Sequence, residues 1–247
     1  MRNEYLDHEV FRDKKIVALT GAGVSTLSGI PDFRSGNFDI WKRYTPEKVF
    51  DIERFHRDPG YFYSFVNECF PKGTRSYVPN AVHKTLARLE KSGILQTVIT
   101  QNIDGLHQKA GSQNVLELHG SWSRFFCVKC KKDFTDEAIP GLPMRNKVPL
   151  CDICKGLVRP DVVFYGEMLP QETLRYAIAC ALSADYLFIL GSSLVVYPAA
   201  SIPAHTIESG GKLIIFNNQP TQYDQQAEAI FSDLNDFVMM FDRNDDL

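Results

Sequence analysis

Cys127 and Cys130 are separated by two residues, twenty residues follow, and Cys151 and Cys154 repeat the spacing. Each C-x2-C turn presents two thiolates from one tight loop, and two such turns complete a closed tetrahedral Zn²⁺ shell with Zn–S near roughly 2.3 Å. A shell of four sulfurs leaves no position for water, so this metal is expected to hold a module together and not to do chemistry. Cys69 and Cys180 stand alone in helical patterns and read as core residues.

A second concentration of chemistry runs from Gly21 to Ser35, GAGVSTLSGIPDFRS, directly after the apolar run Ile16 to Leu19. A β-branched run that ends in Gly21-Ala22-Gly23 lets backbone N–H groups approach a pyrophosphate, because glycine has no Cβ and accepts positive φ. The turn departs from the dinucleotide fingerprint, since Thr26 stands at the third glycine's place. The same signature expects an acid about 20 residues further on to hold the ribose; here that stretch belongs to the aromatic-rich helical insert instead, which counts against hydride transfer. Asp32, Phe33 and Arg34 then place an acid, a ring and a guanidinium side by side after Pro31, a poor helix and a good loop over a ligand.

The third set is Gln101, Asn102, Ile103 and Asp104, with His119 beside Gly120. His119 has two readings, a satisfied half-buried residue or a general base whose ordinary pKa near roughly 6.5 suits a sugar hydroxyl. His8, His56, His83, His107 and His205 lack comparable context and read as surface or core.

The elements that must position these groups alternate between two periods. Strand patterns cover 15–20, 96–100, 115–118, 186–190 and 212–216; helical patterns cover 3–14, 80–91, 171–183 and 198–209. This order predicts an α/β fold, a Rossmann-like parallel sheet whose strand ends all carry small or polar residues, among them Gly191-Ser192-Ser193 and Asn217-Asn218. Residues 37–78 are aromatic-rich and divided by prolines, and read as short helices beside the opening loop. The expected organisation is a discontinuous Rossmann-like domain of residues 1–36, 80–121 and 165–247, a helical insert at 37–79 and a zinc-ribbon module at 122–164.

With 247 residues, 44% of them hydrophobic, the chain can bury a full core. A net charge of −3 without a Lys/Arg block gives no footprint for direct nucleic-acid binding. No stretch approaches the roughly 18 apolar residues of a membrane span, and the start lacks a signal peptide's apolar core, so no membrane partner and a cytoplasmic location are expected.

Together GAGVSTLSGIPDFRS, TQNIDGLH, LHG, the paired C-x2-C turns, GSSLVVYPAA and a late strand ending in Asn resemble the sirtuin family of NAD-dependent protein deacylases, over about Lys15 to Phe237. The resemblance implies that Gly21, Ala22, Gly23, Thr26, Asp32, Phe33 and Arg34 form the NAD loop. It gives Gln101, Asn102, Ile103 and Asp104 to the ribose and nicotinamide pocket, and Gly191, Ser192, Ser193, Asn217, Asn218 and Phe237 to the adenosine side. His119 becomes the catalytic base, with Asn102 beside it. Val163, Tyr165, Gly166, Glu167, Val195 and Tyr197 match the segments that grip an acyl-lysine peptide as an added β-strand.

The implied reaction is attack of the acyl-lysine amide oxygen on C1′ of the nicotinamide ribose, loss of nicotinamide, and an alkylimidate that His119 helps convert to 2′-O-acyl-ADP-ribose and free lysine. Relatives that prefer succinyl or malonyl lysine carry a Tyr and an Arg three residues on; here the positions are Tyr63 and Val66, which favours acetyl and other neutral acyl groups. Mono-ADP-ribosyltransfer to protein is the alternative activity, and an idle NAD-sensing module a second. A monomer with one structural zinc is expected.

Overall fold

The computed structural model describes residues 8–31, 43–70 and 76–242. In chain order its strands are β1 (Ile16–Thr20), β2 (Leu95–Thr100), β3 (Val115–Glu117), β4 (Gly120–Cys127), β5 (Asp133–Thr135), β6 (Met144–Arg145), β7 (Val148–Pro149), β8 (Val158–Val162), β9 (Tyr186–Leu190), β10 (Lys212–Phe216) and β11 (Ala229–Phe231). Its helices are α1 (Gly23–Thr26), α2 (Pro46–Val49), α3 (Ile52–Arg57), α4 (Pro59–Cys69), α5 (Ala81–Lys91), α6 (Leu106–Ala110), α7 (Gln171–Ser183), α8 (Ile202–Glu208) and α9 (Leu234–Asp242).

β1 and β9 are buried at every position, as strands covered on both faces must be, and they read as continuous apolar runs. Among the described residues, six strands pair in parallel in the order β3-β2-β1-β9-β10-β11. That is the Rossmann order, in which the chain reverses direction of travel across the sheet at β1 and β9, and ligands bind outside the carboxyl ends there. Val82, Leu86 and Leu89 of α5 and Phe237 and Phe241 of α9 seal one face. Ala177 and Ala181 of α7 and Ile202 of α8 seal the other.

Local chemistry sets the element boundaries. Asn80 caps α5 by accepting from the Val82 N–H at 3.0 Å, while its own amide donates to the Val24 carbonyl and the Ser28 hydroxyl, which ties the helix start to the opening loop. α6, too short to show a period in sequence, lies between Gly105 and Gly111, both with positive φ, and Asp104 accepts from its first free donor at Leu106. Of the helix expected at 3–14, the described residues form a 3-10 turn at His8–Phe11, and β11 and α9 add elements to the sheet domain that the patterning did not announce.

The two insertions are not separate in their packing. Phe50, Phe55, Phe62 and Phe65 of the helical stretch share one core with Trp122, Phe125, Val158 and Phe164 from the cysteine region, where β4, β5 and β8 form an antiparallel sheet. Rings of Phe50 and Phe55 meet Phe164 edge-on at 5.8 and 5.1 Å, a favoured aromatic geometry.

Gly21, Gly23 and Gly191 lock β1 to β9. The Gly23 N–H donates to the Gly191 carbonyl at 2.9 Å, and the Gly21 N–H to the Leu190 carbonyl at 3.0 Å. A Cβ on Gly21 would lie 2.7 Å from the Gly191 oxygen, and one on Gly191, whose φ is +57°, 2.5 Å from the Val24 nitrogen. Both loops must therefore lack side chains to approach this closely. Gly191→Ala is expected to lower unfolding free energy by more than about 2 kcal/mol in urea titration, through strained backbone and backbone overlap together.

Candidate active site

The sheet's reversal point opens into a cavity of about 350 Å³ lined by Gly21, Ala22 and Gly23 from β1's loop, Gln101 to Asp104 from β2's, and Gly191 to Ser193 from β9's. His119, Asn217 and Asn218 border it too, and so do Val163, Tyr165, Gly166, Glu167 and Tyr197. Sequence-read residues from five strand ends of the parallel sheet and from the turn after β8 thus meet at one place.

His119 follows β3 and is held from both sides. The Leu118 N–H donates to the Thr100 carbonyl at 2.9 Å, and the His119 carbonyl accepts from Val163 at the same distance. Gly120, with φ +76°, passes so close to β8 that a Cβ would sit 2.0 Å from the Asp161 oxygen. The ring's Nδ1 lies 2.9 Å from the Gln101 carbonyl, which can only accept. Nδ1 therefore carries the proton and Nε2 the lone pair. Burial lowers the His119 pKa below its ordinary value, against the raising effect of the bond to Gln101, so the ring is neutral at neutral pH.

Asn102 is buried, and its amide donates to the Gly21 carbonyl at 3.0 Å and the Ser25 hydroxyl at 3.2 Å. Ser25 in turn donates to the Asp104 carboxylate at 2.6 Å. Burial raises the Asp104 pKa, opposed by its bonds from Ser25 and the Leu106 N–H. Motif reading passes over Ser25, because Thr26 beside it and Ser28 are equally polar and spacing alone does not say which of them turns to Asp104. On the far side the Gln101 amide donates to the Ser192 hydroxyl at 2.8 Å and fixes β2's loop to β9's.

Several expected contacts fall elsewhere. Asp32, Phe33 and Arg34 lie outside the described residues. Thr26 does not border the cavity; its hydroxyl donates to the Gly23 carbonyl at 2.8 Å and finishes the α1 turn. Phe237 is fully buried, its ring 5.3 Å from that of Phe216, and an aromatic residue inside the core has no surface to offer adenosine. Val195 is exposed and outside the lining, whereas Tyr197, two residues on, is exposed and borders the cavity. Neither Tyr63 nor Val66 borders the cavity, and the Tyr63 hydroxyl donates to the Val158 carbonyl at 2.6 Å. These two positions therefore give the acyl preference no structural support.

Glu167 lines the cavity, but its carboxylate faces Arg159. The guanidinium, 4% exposed, donates to both carboxylate oxygens at 2.8 Å and to the Val162 carbonyl at 2.6 Å. It also lies over the Phe164 ring at 4.2 Å. Burial pushes the Glu167 pKa up, yet the Arg159 and Phe164 N–H bonds outweigh it and hold the pKa below the usual range. This pair braces the 163–167 turn from β8.

The sulfurs of Cys127, Cys130, Cys151 and Cys154 all lie within 4.8 Å of one another, with Cys127 3.4 Å from Cys154 and Cys130 3.7 Å from Cys151. A tetrahedral ion with bonds of roughly 2.3 Å requires sulfurs roughly 3.8 Å apart, so the four thiols fit a metal ion.

Residues 21–198 match the model of the Sir2 family. This chain belongs to that family. An NAD-dependent protein deacetylase of Thermotoga maritima is 50% identical over 212 residues, covering 85% of each chain. One of Saccharolobus solfataricus is 45% identical over 228 residues, 92% of this chain and 90% of that one. Among solved structures, Sir2 with p53 peptide and NAD+ superposes with a TM-score of 0.84 at 45% identity, covering 94% of this chain and 93% of that one. A Sir2 variant with deacetylated p53 peptide and 3′-O-acetyl ADP ribose gives 0.87 at 46% identity and 94% of both chains.

Behind this Sir2 site two histidines are buried without charge. His83 and His107 are at most 1% exposed, with ring centroids 4.9 Å apart. Burial lowers their pKa values to about 4 and about 3, His107 being lowered also by its neighbour. Unfolded, each takes up a proton near its ordinary value of 6.5, so the unfolded state binds more protons below that pH. Stability is whole above pH 6.5 and falls as pH drops toward 4 and 3. Each histidine is expected to cost about 2 kcal/mol by about pH 5, and urea unfolding of His83→Asn across that range should lose less than the parent chain.

Proposed function

We propose that this chain removes acetyl and other neutral acyl groups from protein lysines with consumption of NAD, yielding nicotinamide, 2′-O-acyl-ADP-ribose and free lysine. The observation that carries the reading is His119: a neutral ring, its Nδ1–H given to the Gln101 carbonyl, its Nε2 left as acceptor, at the wall of a cavity. Such a group suits removal of a proton from a ribose hydroxyl, which acyl transfer needs and simple cleavage of NAD does not.

NAD as co-substrate supplies the reactive ribose, and the chain's residues bind and orient it. The Gly21–Gly23 turn and the Ser192–Ser193 turn suit the phosphates and adenosine side, with Asn217 and Asn218 beyond them. Asn102, Ile103 and Asp104 suit the nicotinamide ribose, where Ser25 holds the Asp104 carboxylate in place. Phe33 and Arg34 are assigned to the same pocket by motif. The acylated peptide is assigned to the turn at 163–167 and the segment around Val195 and Tyr197, where Tyr165 and Tyr197 are exposed and border the cavity. Relatives in the Sir2 family have been solved with a propionylated peptide and with acetylated peptide. The domain division at 37–79 and 122–164 and the choice of zinc for the four thiols belong to the same proposal. Among the described residues no helix is long and apolar enough to cross a membrane; a cytoplasmic location and a monomeric state are proposed with it.

Incubation with labelled NAD and an acetyl-lysine peptide is expected to produce O-acetyl-ADP-ribose. Nicotinamide release with labelled protein and no acylated product would instead indicate ADP-ribosyltransfer. His119→Ala should cut deacylation by at least about 100-fold while NAD still binds in calorimetry. The purified chain should contain one zinc ion, and chelation should lower its melting temperature.

A further inference from the structure

Thr20 and Thr100 end the adjacent strands β1 and β2 side by side, in register, at positions that are 0% and 2% exposed. A valine would fill the same volume with no hydroxyl to desolvate, so their hydroxyls have to be accounted for by what they bond. Thr20 donates its single hydroxyl hydrogen to the Thr100 oxygen at 2.8 Å. The His107 Nε2, 2.9 Å from the Thr20 oxygen, must then be the donor. The Thr100 oxygen also accepts the backbone N–H of Asn102 at 3.0 Å.

The back of this chain of bonds is equally constrained. With its proton on Nε2, His107 presents Nδ1 as an acceptor, and this atom has no partner. His83 accepts the Asn80 N–H on Nδ1, which leaves its proton on Nε2, buried and also without a partner. The tautomer of His107 is therefore set by its bond to Thr20 and that of His83 by its bond from Asn80, while the remaining nitrogen of each ring is buried without a partner.

We propose that Thr20 and His107 are positioning residues: the relay His107–Thr20–Thr100 fixes the Asn102 backbone, and so the amide that holds Gly21 and Ser25 at the cavity wall. No member of the relay beyond Asn102 borders the cavity, so none touches either substrate. The inference rests on the deacylase reading, because its effect is read through that reaction. The mechanism is geometric. Asn102 starts the loop that also bears Asp104, and without the N–H to Thr100 its main chain is tethered to β1 only through the Gln101 N–H on the Thr20 carbonyl and its own side chain on Gly21, which loosens the aim of that side chain.

The test uses the full chain and steady-state deacylation of one acetyl-lysine peptide, with unfolding midpoints recorded for every variant. Thr20→Val removes the hydroxyl at constant shape and should lower kcat about tenfold with peptide KM within about twofold, since Thr20 does not border the cavity and reaches the site only through Asn102. Thr20→Ser restores the hydroxyl and should retain at least half of the parent kcat. His107→Phe should fall to the level of Thr20→Val, and the double variant no further, because both cut one path. Parental kcat in folded Thr20→Val would overturn the inference. So would a Thr20→Ser loss as large as valine's, a peptide KM that moves as much as kcat, or losses that multiply in the double variant. If His107→Phe does not fold, the Val/Ser pair decides alone. A parent chain that makes no O-acetyl-ADP-ribose defeats the deacylase reading instead; the relay is then judged by NAD affinity, which Thr20→Val should weaken and Thr20→Ser should not.

Discussion

The structure depends on two backbones in near-contact at the centre of its sheet. β1 and β9 are neighbours that run in parallel, and their exits would normally diverge to make a crevice. Here Gly21, Gly23 and Gly191 interlock just beyond the strand ends, with two N–H donors crossing between them. That contact sets the floor of the cavity. Asn102 reaches the Gly21 carbonyl from one side and Gln101 reaches Ser192 from the other, so the three loops form one bonded surface. The glycines that suggested phosphate approach in the sequence therefore have a prior structural task, which is to let the loops meet at all.

Much of the sheet was legible because its strands are buried on both faces and separated by clear helical periods. The spans Gln171–Ser183, Tyr186–Leu190 and Lys212–Phe216 agree with the patterning to the residue. Where patterning failed, the causes were length and context. The α6 helix is shorter than two turns, β11 has three residues, and the small strands around the cysteines are set by the thiol cluster and a hairpin rather than by alternation. The site was legible where function forces a polar side chain onto a strand end, as for His119 and Asn102. It was illegible where a role depends on direction. Thr26 and Ser25 are neighbours in a one-turn helix, and the sequence cannot say which of them faces the cavity. Glu167 lines the cavity through its turn and spends its charge behind it. Phe237 shows the converse error, since a core aromatic and a stacking aromatic have the same side chain.

The common core of the helical stretch and the cysteine region changes how the insertions are understood. Together they form a second hydrophobic centre built largely from aromatic rings. The cavity lies between this centre and the parallel sheet, with Phe50, Phe65 and Trp122 from the one and Gly21 and Ser192 from the other. A metal held by the four clustered thiols would then act at a distance from the chemistry, by fixing the strands from which Arg159 braces the 163–167 turn.

His119 is the last residue on the sheet side of that division and Gly120 the first of β4. The carbonyl of His119 is bonded to Val163 and the N–H of Leu118 to Thr100, so one short stretch of main chain is stitched to both halves of the molecule. The imidazole is in effect mounted on a seam. A base placed there senses the alignment of the two halves directly, and a cleft assembled out of register would misplace the imidazole along with its walls.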